Sequence, residues 1–185
     1  MKDLLFKISD FNEIDPFLMT ITSASDHWMY ISSSGCLTAG RQKPDYALFP
    51  YITDDLLHKN AGSTGPITAI KFGKKNKHSL WQPFSSQIDD FKKKRNLYKN
   101  SLGNKIKFEE FNHTNGLTFS YSWHSSEEFG FVRKAILKND SDDTIQISLV
   151  DGLRNIMPAG VELRTQQSMS NLANAYKVSE YNQNY

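Results

Sequence analysis

Lys105-Ile106-Lys107-Phe108-Glu109-Glu110-Phe111 and Leu117-Thr118-Phe119-Ser120-Tyr121-Ser122-Trp123 decide the fold. Successive side chains of a strand point to opposite faces, so Leu117, Phe119, Tyr121 and Trp123 share one face. Between the two runs stands Asn112-His113-Thr114-Asn115-Gly116, and an Asn-Gly pair accepts the positive φ angles of a tight hairpin turn. A further run, Phe129 to Leu137, turns through Asn139-Asp140-Ser141-Asp142-Asp143 and returns as Thr144 to Val150. The pattern predicts an all-β chain built on an antiparallel sheet with one buried face.

The flanking sequence extends the same theme. Leu4-Leu5-Phe6 and Phe17 to Ile21 read as edge-like strands divided by Asp15-Pro16. His27 to Ile31 is a strand candidate that runs into Ser32-Ser33-Ser34-Gly35, where small residues let backbone approach backbone or ligand. Cys36 to Arg41 reads as the returning strand, and Ile67 to Phe72 as another. Thr53 to Lys59 predicts one helical turn capped by Thr53. Ser86 to Phe91 predicts a short helix that ends in the basic run Lys92-Lys93-Lys94-Arg95. Residues 161 to 176 have apolar spacing closer to helical than to strand. Residues 1–158 are therefore expected to form a β-sandwich domain, and 159–185 a helical linker to a further region.

The chain has 185 residues, enough for one domain with a sizeable core. Lys plus Arg is 22 and Asp plus Glu is 20, a net charge of +2. That balance argues against a nucleic-acid surface or an anionic membrane. No stretch is long and apolar enough to span a bilayer, and Met1 to Lys7 lacks the uncharged segment of a signal peptide. Cys36 is the single cysteine, so no intramolecular disulfide forms and a cytoplasmic location is expected.

Few residues suggest chemistry. His27, His58, His78, His113 and His124 lack zinc-ligand spacing, so neither metal nor cofactor is expected. The pairs Asp54-Asp55, Asp89-Asp90, Glu127-Glu128 and Asp142-Asp143 resemble the two carboxylates of glycoside hydrolysis. Neighbouring strand residues diverge, however, and solvated turns are the better reading. The basic runs Lys71 to Lys77 and Lys92 to Arg95 read as solvated turns as well. Cys36 reads as a buried structural thiol. Trp28, Trp81 and Trp123 are core candidates, although an exposed tryptophan face would stack on a sugar ring.

Two stretches resemble the N-terminal domain of the cellobiose and chitobiose phosphorylase family. Trp28 to Arg41 is similar to that family's early aromatic strand, small-residue turn and Asp-Ala-Arg-like segment, with Ala39-Gly40-Arg41 standing in the last position. Gly116 to Leu149, and Glu127 to Ser141 within it, is similar to the strand that ends in a Leu-x-Asn-x-Ser turn. The resemblance implies an antiparallel β-supersandwich of the galactose-mutarotase-like type, followed by a linker helix and an (α/α)6 barrel that holds the catalytic acid. It also implies a non-catalytic role for this chain within a glycoside phosphorylase or hydrolase acting on β-linked oligosaccharides. The expected partners are an oligosaccharide, the rest of its own chain and a second copy in a homodimer. Trp28 for stacking and Arg41 for hydroxyl hydrogen bonds are the expected sugar contacts. The alternatives are a stand-alone carbohydrate-binding module, or an epimerase-type enzyme using His113, His124 and Glu128.

Overall fold

Alternating apolar residues, punctuated by turn chemistry, give a structure that is strand almost throughout. The computed structural model describes residues 4–74, 77–87, 89–158 and 160–169, together with 172 and 175. In chain order the elements are β1 (Leu5–Ser9), β2 (Leu18–Ile21), β3 (His27–Ser32), β4 (Leu37–Arg41) and β5 (Ala47–Phe49). A single helical turn, α1 (Asp54–Leu57), precedes β6 (Gly65–Lys74), β7 (Lys77–Trp81) and β8 (Lys93–Asn100). Then come β9 (Lys105–Asn112), β10 (Leu117–Ser126), β11 (Gly130–Asn139), β12 (Gln146–Arg154) and the short helix α2 (Leu163–Ser168).

These strands form three antiparallel sheets, in the orders β1-β8-β9-β10-β11, β2-β3-β4-β5 and β12-β6-β7. The sheets stack on one core to make an all-β sandwich. Met29 and Ile31 come to it from one sheet, Ile70 and Trp81 from another, and Leu97, Phe108, Phe119 and Trp123 from the third. Among the described residues no helix is long and apolar enough to cross a membrane.

The runs that decide the class behave as the alternation predicts, with two corrections. First, β10 is covered on both faces: Leu117, Phe119, Tyr121 and Trp123 are buried on one, Thr118 and Ser120 on the other. Second, 144–150 does not return beside β11. It enters β12, which pairs with β6 in a different sheet, from Gln146 opposite Gly73 to Arg154 opposite Gly65. The Asn139 side chain organises the turn that redirects it. Its amide donates to the Asp143 carbonyl (2.8 Å), and its oxygen accepts from the Ser141 N–H (3.1 Å) and hydroxyl (2.7 Å). Ile145 and Ile147 then pack against the core. The 113–116 turn spans four residues, and only Gly116 takes a positive φ there (63°).

The expected helix at 86–91 is absent among its described residues. Asp89 Oδ1 accepts the Phe91 N–H (3.2 Å) and Oδ2 holds Lys93 Nζ (2.8 Å), which sends the chain into β8. The basic run 92–95 is therefore largely strand rather than a solvated turn. Much of Lys71 to Lys77 likewise falls in β6 and β7. Helical turn α1 follows Thr53, but the N–H groups of Leu56 and Leu57 are satisfied by the Thr53 carbonyl, with no side-chain cap. At the other end α2 carries the expected helical character, and most of 170–185 lies outside the described residues. Gln166 docks it: Oε1 accepts from the Tyr51 N–H (3.1 Å), and Nε2 donates to the carbonyls of Pro44 (3.1 Å) and Val161 (2.7 Å).

One ion pair joins two of the sheets. Asp151 on β12 accepts from both terminal nitrogens of Arg133 on β11 (2.7 and 2.8 Å) and from the Thr68 hydroxyl on β6 (2.6 Å). Burial pushes the Asp151 carboxyl up, but Arg133 and Thr68 together outweigh it and hold the group below the usual carboxylate range. A depressed folded-state pKa contributes stability above the unfolded value, about 3.9 for Asp. That contribution is lost as pH falls through the folded value. Denaturation midpoints are thus expected to drop below about pH 4. Asp151→Asn should flatten part of that fall while lowering stability at pH 7. The flattening is partial because Glu109, opposed by burial but held down by Lys107, Tyr98 and Asn96, titrates the same way. An unchanged acid limb in the variant would refute the assignment.

Candidate functional site

A cleft of about 490 Å³ opens where the β3–β4 turn, the segment before β6, the loop after β7 and the end of β12 meet over β8, β9 and β10. Its floor is aromatic. Phe108 and Tyr121 are Cα partners across β9 and β10, and their rings stack at 4.9 Å and 15°. Phe84, from the loop after β7, meets Tyr121 edge-on at 5.3 Å. The Arg133 guanidinium lies 5.1 Å from the Tyr121 ring centre. Burial pushes the Tyr121 hydroxyl well above its ordinary range, with Arg133 and Arg95 opposing, so it stays a neutral phenol.

A carboxylate inside the core fixes this floor. Glu110 is fully buried and faces Arg95 on β8 and Phe119 on β10. It accepts from Trp81 Nε1 (2.7 Å), the Phe84 N–H (2.8 Å) and Arg95 Nε (2.6 Å). Arg95 Nη2 also donates to the Ser85 carbonyl (2.7 Å). These bonds hold the 82–87 loop against the sheet and support Phe84 in left-handed backbone geometry (φ 62°).

The small-residue turn does what its composition suggests. Gly35 (φ 88°) brings backbone so near the floor that a Cβ there would stand 3.1 Å from the Tyr121 hydroxyl. Gly65 approaches the Gly35 carbonyl just as closely. Ser32 Oγ sits 2.7 Å from His58 Nδ1 and 2.8 Å from Ser34 Oγ, tying the 58–60 turn to the β3–β4 turn. Ser32 is fully buried and has a structural part. Cys36 is also fully buried, and burial pushes its thiol up to about 11, so it is an inert core residue.

Trp28 and Arg41 lie outside this cleft. Trp28 is opposite Gly40 and Arg41 opposite His27, so the two side chains emerge on opposite faces of their sheet. Trp28 is half-buried beside Tyr30 (6.2 Å, tilted) and Tyr51 (5.9 Å, edge-on). Arg41 Nε donates to both Asp26 oxygens (3.0 and 3.2 Å). Trp81 and Trp123 are core residues. His113 and His124 do not converge: His113 stacks on Phe111 in the turn before β10, and His124 lies near that strand's far end. At about 3.3 Å per residue they are more than about 20 Å apart. Glu127, Glu128, Asp142 and Asp143 are exposed in turns. Among the described residues no group of three or more His, Cys, Asp or Glu is placed to hold a metal ion.

Three residues that matter here carry no sequence signal. Glu110 reads as a surface acid, Phe84 as a loop residue, and Arg154 as part of a loop after Val150, although β12 runs on to include it. Arg154 lines the cleft, and its Nε is buried with no hydrogen-bond partner. In comparison with known proteins, no family model matches this chain and no curated protein is detectably similar to it.

Proposed function

We propose that this chain is a non-catalytic β-sandwich domain of a carbohydrate-active enzyme acting on β-linked oligosaccharides, and that its cleft contributes sugar contacts beside a separate catalytic barrel. The observation that carries the reading is the cleft itself. Phe84, half-buried above the packed Phe108 and Tyr121, offers its ring to the apolar face of a sugar. The cleft's rim offers the side-chain amides of Asn12, Gln82 and Gln87 for hydroxyl groups. The described lining residues include neither Asp nor Glu, the residue types that supply acid and base in most glycosidases. The likeness of Trp28 to Arg41 and of Gly116 to Leu149 to the phosphorylase family's sandwich domain supports the same reading, as does the all-β fold.

A stand-alone carbohydrate-binding module is the second reading, favoured by Trp28 and the 40%-exposed Tyr30 on the outer face of the β2–β5 sheet. The purified chain titrated with β-linked gluco-oligosaccharides should show a change in tryptophan fluorescence at millimolar sugar and no turnover, hydrolytic or phosphorolytic. Gln82→Ala should weaken that response several-fold and Trp28→Ala leave it intact. Turnover by the chain alone would refute the non-catalytic assignment. A response lost only in Trp28→Ala would transfer the site to the outer face and favour the module.

A further inference from the structure

The cleft's polar groups differ in how far they are already satisfied. Arg95, which lines the cleft, holds the Glu110 carboxylate, and outside the cleft Arg41 and Arg133 hold those of Asp26 and Asp151. Arg154 lines the cleft without a hydrogen bond or ion pair among the described residues, although its Nε is shielded from solvent. A guanidinium N–H shielded from solvent with no acceptor is costly, and an anion at the half-buried head would supply one. No carboxylate of the described lining residues supplies one. Asn12, Gln82 and Gln87 line the same cleft with side-chain amides that make no hydrogen bond among the described residues.

Fixed positive charge, free amides and the half-buried Phe84 ring occupy one space. A small inorganic anion would satisfy only the first of these. A pyranose bearing a carboxylate would satisfy all three: carboxylate on the planar guanidinium fork, hydroxyls on the amides, ring face against the half-buried Phe84. We infer that the cleft takes an acidic saccharide, a uronic-acid residue whose carboxylate pairs with Arg154. The inference rests on the sugar-binding reading above and narrows its ligand class.

The test uses isothermal titration of the full chain with matched oligosaccharides, one terminating in glucuronate and one in glucose, and with inorganic phosphate alone. The glucuronate ligand should bind about tenfold or more tightly than the neutral one, as a charge-assisted hydrogen bond implies. That preference should shrink as salt rises. Arg154→Gln should abolish the preference, leaving the two sugars equally bound. Arg154→Lys should keep part of it, and Arg41→Gln, which removes a distant positive charge, should leave it whole. Circular dichroism confirms that each variant folds; should Arg154→Gln unfold, Arg154→Lys and the ligand comparison in the unmodified chain still decide. Equal affinity for the two sugars would overturn the inference and leave the sugar-binding reading standing. Phosphate binding that depends on Arg154, without a uronate preference, would overturn it too. Binding of neither sugar would remove the broader reading along with it.

Discussion

Replacing Glu110 by alanine is expected to cost about 3–5 kcal/mol, as breaking a buried ion pair by removing one partner typically does. For a domain of ordinary stability that is a large share of the total. The loss has identifiable parts. Arg95 would keep its charge in a half-closed site without its carboxylate, and the Trp81 indole N–H and Phe84 amide would lose their acceptor. Glu110→Gln keeps the shape but puts an NH2 where donors converge on an oxygen, so it should recover little. Trp81→Phe removes one of the three donors to the carboxylate, about 1.5–3 kcal/mol for a hydrogen bond to a charged group, together with some core volume. Guanidinium denaturation of the three variants gives the ranking directly. A Glu110→Ala midpoint within experimental error of the parent would show that the carboxylate is not what holds the 82–87 loop down.

Gly40→Ala should be nearly as damaging, for a reason unrelated to charge. A Cβ at Gly40 would stand 2.6 Å from the Trp28 ring, 2.7 Å from the Tyr46 carbonyl oxygen and 2.8 Å from the Ala47 Cα. The indole could rotate away, but two of the three obstacles are backbone, so β4 and β5 must separate. Overpacking of this kind costs about 1–3 kcal/mol, and the backbone obstacles place Gly40 at the upper end. Gly152→Ala is the internal comparison: nothing lies within 4 Å of the added methyl, and its effect should stay within about 0.5 kcal/mol. Equal midpoints for the two alanine variants would contradict the close approach of β4 to β5.

The strands were legible because burial on one side writes alternation into the chain. Phe119, Tyr121 and Trp123 announce β10, and Met29 with Ile31 announces β3. Alternation fails where a polar residue occupies the core side. In β9, Ile106, Phe108 and Glu110 share a face, yet a carboxylate in that phase reads as the solvent side unless its three donors are known. In β8 the run Lys93 to Arg95 looks like a charged turn because its partners, Asp89 and Glu110, come from outside the strand. The destination of β12 was hidden as well, since alternation fixes which face is buried and not which strand lies alongside. The cleft was the least legible feature. It is assembled from segments as distant as Asn12 and Arg154, and no local spacing brings such residues together.

The pairing of β12 with β6 also bears on how the protein is made. Thr68 and Asp151 face one another across a separation of 83 residues, so this ladder closes a very long loop. Non-local pairing of this kind is slow to form, because chain entropy must be given up before contacts compensate. During synthesis β6 would leave the ribosome long before its neighbour exists. Until then the β6–β7 hairpin has one bare edge carrying Ile70 and Phe72, a template for pairing with other chains. Completion of this sheet therefore depends on Gln146 to Arg154 arriving in time, and nascent chains stalled before residue 146 are the species expected to aggregate.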